Sequence, residues 1–375
     1  MMEIFLSPNG AEIKVCWRSS LPGAALTKPY SVNANALRKR CEAVRAELTA
    51  LNDYVRANPK FDERRDPAWS QYSTIMRRLR NEGGMLRAAL IEAGQPEDIA
   101  EVFDRRVRAL PKDTEVTVHC SDQDVTIPLG FICENTSFTL KERPSRGDFD
   151  GFWINRLKLS IRLSGTDCAT SEAIDRSAFR AIYALNRAEK ESVLAELIES
   201  DLESERQQFE SLTTIDQRDH YDWEDVRSEC MKMTNAHAVF FVFAHCDGLS
   251  LQLGDSDTVD WARFRNMLRR RADDRSGLVI FNCCTSGIGE QGSSLLSAVT
   301  QPGFCGMIGT EAEVHNTGAL RCGIRLMWNL CVNGKNLGDA FTDMQNSEDL
   351  FPVNLFYTCY AARDFRLNSP ITFPV

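Results

Sequence analysis

The sequence predicts an α/β fold: a mostly parallel central sheet flanked by helices, preceded by an N-terminal β-hairpin and a helical region. Three features predict it. Beyond about residue 237, apolar runs of strand length alternate with amphipathic stretches in the order strand, helix, strand, helix, strand, the pattern of an open α/β sheet. Two of these runs, AVFFVFAHC (238–246) and GLVIFNCC (277–284), are apolar almost throughout, as strands covered on both faces must be. The hydrophobic period also changes near residue 114, from helical to alternating.

The elements follow in order. Residues 2–17 read as two short strands around SPNG, with Asn-Gly at the centre of the turn. Residues 34–58 place Leu37, Cys41, Val44, Leu48, Leu51 and Val55 on one stripe of a helix. A second helical pattern over 69–94 is interrupted at Gly83 and Gly84, and a third opens with Pro96 at a first helical position. Their Arg-rich faces carry interleaved acids and read as solvated or docked surfaces. TEVTVHC (114–120), VTIPLGFIC (125–133) and FWINRLKLSIRLSG (152–165) read as strands, with DFDG (148–151) as a turn. Residues 188–212 read as one long acidic helix, and 222–233 as a helix capped by Asp222. The helices WARFRNMLRRRA (261–272) and GSSLLSAVTQ (292–301), the strand CGMIGTEAEV (305–314) and the helix 317–334, stopped by Gly334, complete the alternation. Two regions result, 1–110 and 111–375, the first allowed to be part of the same fold.

Composition narrows the function. With 43% hydrophobic and 26% charged residues the 375-residue chain reads as an ordinary soluble protein, and a net charge of -9 argues against binding nucleic acid or an anionic membrane. No secretory signal and no membrane span is read, so the expected location is the cytoplasm. The thirteen cysteines are scattered apart from Cys283–Cys284, with no C-x-x-C pair; most read as reduced, buried small hydrophobes rather than zinc ligands or disulfides. No cofactor is implied. The acidic loop GDSDTVD (254–260) lacks the spacing of a dedicated calcium loop.

In open α/β sheets chemistry gathers at the carboxyl ends of the strands. Two successive core strands end on reactive residues, the first on His245 and the second on Cys284, the latter followed by a permissive Thr-Ser-Gly turn. Neighbouring parallel strands would bring both to one edge, where a thiol and an imidazole form a nucleophile and base pair. A lone His or Cys at a strand end is more often packing; the pairing at equivalent ends is what points to chemistry. His315 and His237 are weaker alternatives for the base, and His119 and His220 read as structural or exposed. Asn282 reads as a residue that holds the loop by hydrogen bonds.

The runs FFVFAHCDGLSLQLGD (240–255), LVIFNCCTSG (278–287), GFCGMIGTEAEV (303–314) and CVNGKNLGDAF (331–341) resemble the CHAT branch of the caspase-like cysteine peptidases. In that family one strand ends in His-Gly, the next in a pattern like Asn-Ala-Cys-Glu-Ser-Gly, and a later one carries Gly-Thr. The resemblance covers roughly residues 110–375 and implies a caspase-like fold, with Cys284 rather than Cys283 as nucleophile and His245 as base. It also implies backbone N–H groups of Gly248 and Cys284 as oxyanion donors, and Thr310, Glu311 and Glu313, with Asp247, at the substrate pocket. Ser286, Gly287 and Gly289 would leave the mouth open. Glu311 and Glu313 could favour a basic side chain there, or be exposed, solvated acids.

The chain departs from the family in reading His245-Cys246-Asp247-Gly248 where Gly follows the His directly. Either the turn has two extra residues or Asp247 takes the His position. The first is preferred, because an imidazole exchanges protons near neutrality. Related bacterial proteins work in antiviral defence or regulated cell death. There a partner or signal switches the protease on and a protein such as a pore-former is cut; low basal activity is the expectation. A catalytically silent CHAT-fold interaction module is the alternative.

Overall fold

A computed structural model describes residues 1–19, 27–58, 67–91, 97–121, 126–135, 139–140, 144–163, 173–174, 179–199, 202–214, 219–220, 222–232, 237–247, 249–253, 258–269, 277–288, 294–299 and 304–367. The chain forms two compact units, Met1–Ser164 and Gly165–Val375. It is α/β, with helices beside sheets that contain parallel pairings. No helix of the described residues is long and apolar enough to cross a membrane.

The first unit comprises β1 (Met2–Asn9), β2 (Glu12–Ser19), β3 (Tyr30–Asn33), α1 (Ala34–Ala57), α2 (Pro67–Ile91), α3 (Glu97–Arg108), β4 (Thr114–Cys120), α4 (Trp153–Arg156) and β5 (Leu157–Leu163). Its sheet runs β3-β2-β1-β4-β5. Asn9 pairs with Glu12, so the hairpin turns at Gly10-Ala11, one residue later than its Asn-Gly signal indicates. β4 pairs parallel with β1, which draws residues 114–163 into this unit. The boundary expected at residue 110 therefore falls after β5. Asn33 caps α1 through the Ala36 N–H, and the predicted stripe is buried except that Tyr54 takes the place expected for the half-exposed Val55.

Two predictions fail here. α2 runs unbroken through Gly83, because the glycine is needed for contact: a Cβ there would collide with the Phe131 carbonyl. The residues read as a strand from 125 to 133 form instead a 3-10 turn at Leu129–Phe131, and a single bridge from Cys133 to Phe152 is their only pairing among the described residues. Pro128 removes one ladder donor at that point.

The second unit contains, in order, β6 (Ala173–Ile174), β7 (Phe179–Leu185), α5 (Arg187–Glu199), α6 (Glu203–Thr214), β8 (Asp219–His220), α7 (Trp223–Lys232), β9 (His237–Phe243), β10 (His245–Cys246), β11 (Ser250–Gln252) and β12 (Thr258–Asp260). It continues with α8 (Trp261–Arg269), β13 (Gly277–Phe281), α9 (Leu295–Val299), β14 (Phe304–Thr310), α10 (Asn316–Cys331), α11 (Leu337–Asn346), β15 (Tyr357–Ala361) and β16 (Arg366–Leu367). The main sheet is ordered β15-β14-β13-β9-β7-β8; every pairing is parallel except that of the edge strand β15. Val239–Phe243 of β9 and Leu278–Phe281 of β13 are buried along their whole length, as the apolar runs require. The short antiparallel sheet β10-β11-β12 grows directly from the end of β9.

The predicted acidic helix is two helices. Val193 and Leu197 are the buried pair of α5, Phe209 and Leu212 that of α6. On one straight helix Phe209 would point about 120° away from Leu197, at roughly 100° per residue. A break lets both pairs face the core. Asp222 caps α7 as predicted, accepting the Asp225 N–H at 2.8 Å.

Candidate active site

Three parallel strands, β7, β9 and β13, lie side by side, so their carboxyl ends open on one edge. The β13–β9 register pairs Phe281 with Val242, and the ladder goes one step further through the Asn282 N–H to the Val242 carbonyl at 2.8 Å. The ladder ends there: Ala244 is a bend and His245 opens β10, while Cys283 and Cys284 lie in the turn after β13. The core strand expected to end on His245 therefore stops at Phe243, and His245 and Cys284 both follow strand ends at one edge. The two residues differ sharply from their neighbours. His245 is exposed and Cys284 half-buried, whereas Cys283 and Cys246 are buried and hydrogen-bonded to each other. Of the described cysteines all are free thiols, and only Cys16 and Cys284 escape full burial.

The chain turns at once after Cys284. Thr285 has φ 52°, left-handed backbone that costs a β-branched residue about 1–2 kcal/mol. Such strain persists where the surroundings over-determine it, and it clusters at active sites. The surroundings here are specific. The Thr285 N–H donates to the Ala312 carbonyl at 3.1 Å and the Gly287 N–H to that of Thr310 at 2.9 Å. The Ser286 hydroxyl reaches the Cys283 carbonyl at 3.0 Å, and the Thr310 hydroxyl reaches the same carbonyl at 2.7 Å. A Cβ on Gly287 would press on the Thr310 carbonyl and the Tyr360 ring. Ser286 and Gly287 thus dock the loop tightly; they do not line an open mouth, and Gly289 lies outside the described residues. Asn282 is buried and accepts the Tyr357 hydroxyl, holding the base of the turn.

The Cys284 thiol faces Val314: its S–H donates to the Val314 carbonyl and accepts the Val314 N–H, both at 3.5 Å. Neither group of His245 is bonded to it. Burial pushes the thiol's pKa up; the Val314 N–H opposes this, while Glu313, Cys246 and Glu189 add to it. The resting sulfur is therefore protonated at neutral pH. Its alkylation by iodoacetamide, followed by peptide mass spectrometry, is expected to be slow at pH 7 and still climbing above pH 9.0, the ordinary thiol value. A rate already flat by about pH 8 would contradict this placement of the sulfur. Among the described residues the Cys284 N–H finds no backbone acceptor, which leaves it available to an oxyanion. Gly248, the other expected donor, lies outside the described residues.

Asp247 is committed to the hairpin turn, accepting the Leu249 N–H at 2.9 Å, the Ser250 N–H at 2.7 Å and the Ser250 hydroxyl at 3.1 Å. Slight burial would raise its pKa, but these bonds outweigh it and hold the carboxyl below its usual range. Its oxygens serve the turn rather than a proton relay. Thr310 and Glu311 are fully buried inside the fold rather than at a pocket wall, and Glu311 accepts the Tyr360 hydroxyl at 2.5 Å. Of the Thr310–Glu313 acids Glu313 is the exposed one, and its charge acts on the thiol.

The other histidines have settled places. His315 caps α10, its Nδ1 accepting the Gly318 N–H at 3.2 Å. His237 begins β9 at the opposite edge of the sheet. In the first unit His119 stacks on Phe5 and meets Glu3 at 3.1 Å. His220 lies in β8. Among the described residues no cluster of His, Cys, Asp and Glu is arranged to hold a metal ion, and most of the acidic loop 254–260 lies outside them.

Asn186 and Glu189, which follow the carboxyl end of β7 at this edge, escape the sequence reading because β7 escapes it. The signal was present: FRAIYAL followed by Asn-x-x-Glu is a short strand running into a capped helix. Comparison with known protein families and with curated proteins finds no match to this chain.

Proposed function

We propose that the chain is a cysteine endopeptidase of the CHAT caspase-like kind, working through Cys284 and His245. The observation that carries this reading is an exposed imidazole and a half-buried thiol that follow the carboxyl ends of the adjoining parallel strands β9 and β13. The strained turn behind the thiol supports it. In the reaction His245 accepts the thiol proton, the sulfur attacks the peptide carbonyl carbon, and the Cys284 N–H steadies the oxyanion. The C–N bond then breaks as His245 returns the proton to the leaving amine, and water hydrolyses the thioester.

The sulfur's bonds to Val314 and its raised pKa fit a resting enzyme that needs displacement from this contact before it works. That agrees with the switch implied by the resemblance: an activating partner or signal, a protein substrate such as a pore-forming effector, and a role in bacterial defence or regulated cell death within the cytoplasm. The same contact favours a second reading, a silent module that uses the groove to bind a peptide. A panel of fluorogenic peptides separates them. Hydrolysis lost in Cys284→Ala and His245→Ala supports the peptidase; hydrolysis that survives Cys284→Ala refutes it.

A further inference from the structure

Each member of the dyad has a cysteine beside it in the chain, Cys246 directly after His245 and Cys283 directly before Cys284, and the proposed reaction uses neither. The two dipeptides are laid out alike. In β10 successive side chains take opposite faces, so the imidazole is exposed and the Cys246 thiol is buried. In the turn after β13 Cys284 is half-buried and Cys283 is buried. The two inward thiols meet: each residue is 3% exposed, and a hydrogen bond joins their side chains.

The contact is fixed from both sides. Cys246 pairs with Leu251 across the β10–β11 hairpin, whose turn is held by the Asp247 carboxylate accepting the Ser250 N–H at 2.7 Å. Cys283 is held through its own carbonyl, which accepts the hydroxyls of Ser286 at 3.0 Å and Thr310 at 2.7 Å, and through the ladder bond from the Asn282 N–H to Val242. Other buried thiols of this unit turn to the backbone: Cys305 donates to the Gly277 carbonyl at 3.0 Å and Cys359 to that of Ala361 at 3.7 Å. A sulfur that meets a second sulfur has a further reaction open to it, because a disulfide needs only that the two Cβ atoms come within roughly 3.5–4.5 Å.

We propose that Cys246 and Cys283 are an oxidation site: hydrogen peroxide converts them to a disulfide that staples β10, which carries the base, to the turn that carries the nucleophile, and a dithiol reopens it. In the first step one sulfur attacks a peroxide oxygen, the O–O bond breaks and water leaves, which gives a sulfenic acid. The second sulfur then attacks the first, the S–O bond breaks, and the second thiol's proton leaves with the hydroxyl as another water. Two electrons pass from the sulfurs to the peroxide. The oxidant has to be small, because the burial that pushes the Cys283 thiol up also shuts out bulkier disulfides. In a reducing compartment the pair rests as thiols and closes only under oxidant. Closing draws the sulfurs to about 2.05 Å and shifts the backbone on which His245 and Cys284 stand. A displacement of about 1 Å can cost about 10²-fold in rate. That consequence for hydrolysis rests on the peptidase reading; the bond itself does not.

The test treats the full chain with hydrogen peroxide, then alkylates it with iodoacetamide in denaturant and maps the peptides. Peptide hydrolysis is read before oxidation, after it, and again after dithiothreitol. Of the thirteen thiols two fewer should be alkylated, and one cross-linked peptide pair should join Cys246 to Cys283. The same bond should form in Cys284→Ala and be missing from Cys246→Ala and Cys283→Ala. Hydrolysis by wild type should fall roughly 10- to 100-fold and return with dithiothreitol. Cys246→Ala should cut peptides at the wild-type rate and keep that rate under peroxide. A treated wild type with no such bond, or with Cys284 as the bonded partner, overturns the site. Hydrolysis unchanged by the bond, or inhibition by peroxide that is equal in Cys246→Ala, overturns its control of the dyad, the latter because the damage then lies on Cys284. A chain that forms the bond but cuts no peptide even when reduced leaves the oxidation site standing and counts against the peptidase reading alone.

Discussion

Cys284→Ala is expected to abolish peptide hydrolysis, lowering kcat by on the order of 10³-fold or more, while the protein stays folded. The loss is this large because no second thiol can substitute. Cys283 is buried against Cys246 and faces away from solvent, so it cannot reach a polypeptide. The cost to the fold is small by contrast: the thiol makes only two long contacts to Val314, and the loop is held by Ser286, Thr310 and Asn282 rather than by the sulfur. His245→Ala should cost roughly 10²- to 10⁴-fold, the usual contribution of a positioned acid-base group. Its exposed ring contributes little to packing, so circular dichroism of both variants should match wild type. Activity retained in either, or transferred to dependence on Cys246 or Cys283, would reassign the nucleophile.

The largest effect on stability is expected from Arg80→Ala, at about 3–5 kcal/mol for the first unit. Arg80 projects from α2 and is 1% exposed. Its guanidinium donates to the carbonyls of Asn135 at 2.8 Å, Asp148 at 2.8 Å and Asp150 at 2.6 Å, and lies over the Phe152 ring at 5.3 Å. The same segment is fastened a second time by Asp148, which accepts the Tyr72 hydroxyl at 3.0 Å and the Ser145 N–H at 2.9 Å. Removing the guanidinium takes a charged donor from three carbonyls and opens a cavity beside an aromatic ring. Lysine would not restore it, since one ammonium cannot reproduce the planar fork. Peptide-resolved hydrogen exchange should show α2 losing protection in Arg80→Ala but not in Arg78→Ala, whose side chain is 55% exposed. Equal protection in both would show that the network is not needed.

The contrast between Arg78 and Arg80 shows what periodicity conveys and what it hides. The apolar stripe of α1 is legible because burial repeats with the helical period, and β9 and β13 are legible because a strand covered on both faces admits few polar residues. Arg80 is not legible, because an Arg on an Arg-rich helix carries no mark of carbonyls that lie 55 to 70 residues further along the chain. Likewise the His245 and Cys284 positions could be read from strand ends, whereas Glu189 depends on β7. That strand, FRAIYAL, mixes Arg and Ala into an otherwise apolar run and so lacks the continuous signal of its neighbours. The acids of the Thr310–Glu313 segment show the same limit from the other side. Glu311 and Glu313 look equivalent in sequence, yet the chain leaves β14 at Thr310, and Glu311, which accepts the Tyr360 hydroxyl, is buried while Glu313 is exposed.

The central claim is that one sulfur, in the turn after β13, is activated by the imidazole that follows the adjoining strand β9. Labelling the full chain with a peptidyl acyloxymethyl ketone, followed by intact mass and peptide mapping, tests it most directly, because the sulfur attacks the reagent only as a neighbouring base takes its proton. The account predicts a single adduct, on Cys284, formed much more slowly in His245→Ala. An adduct on Cys16, Cys246 or Cys283, or one on Cys284 whose rate is indifferent to His245, would contradict it.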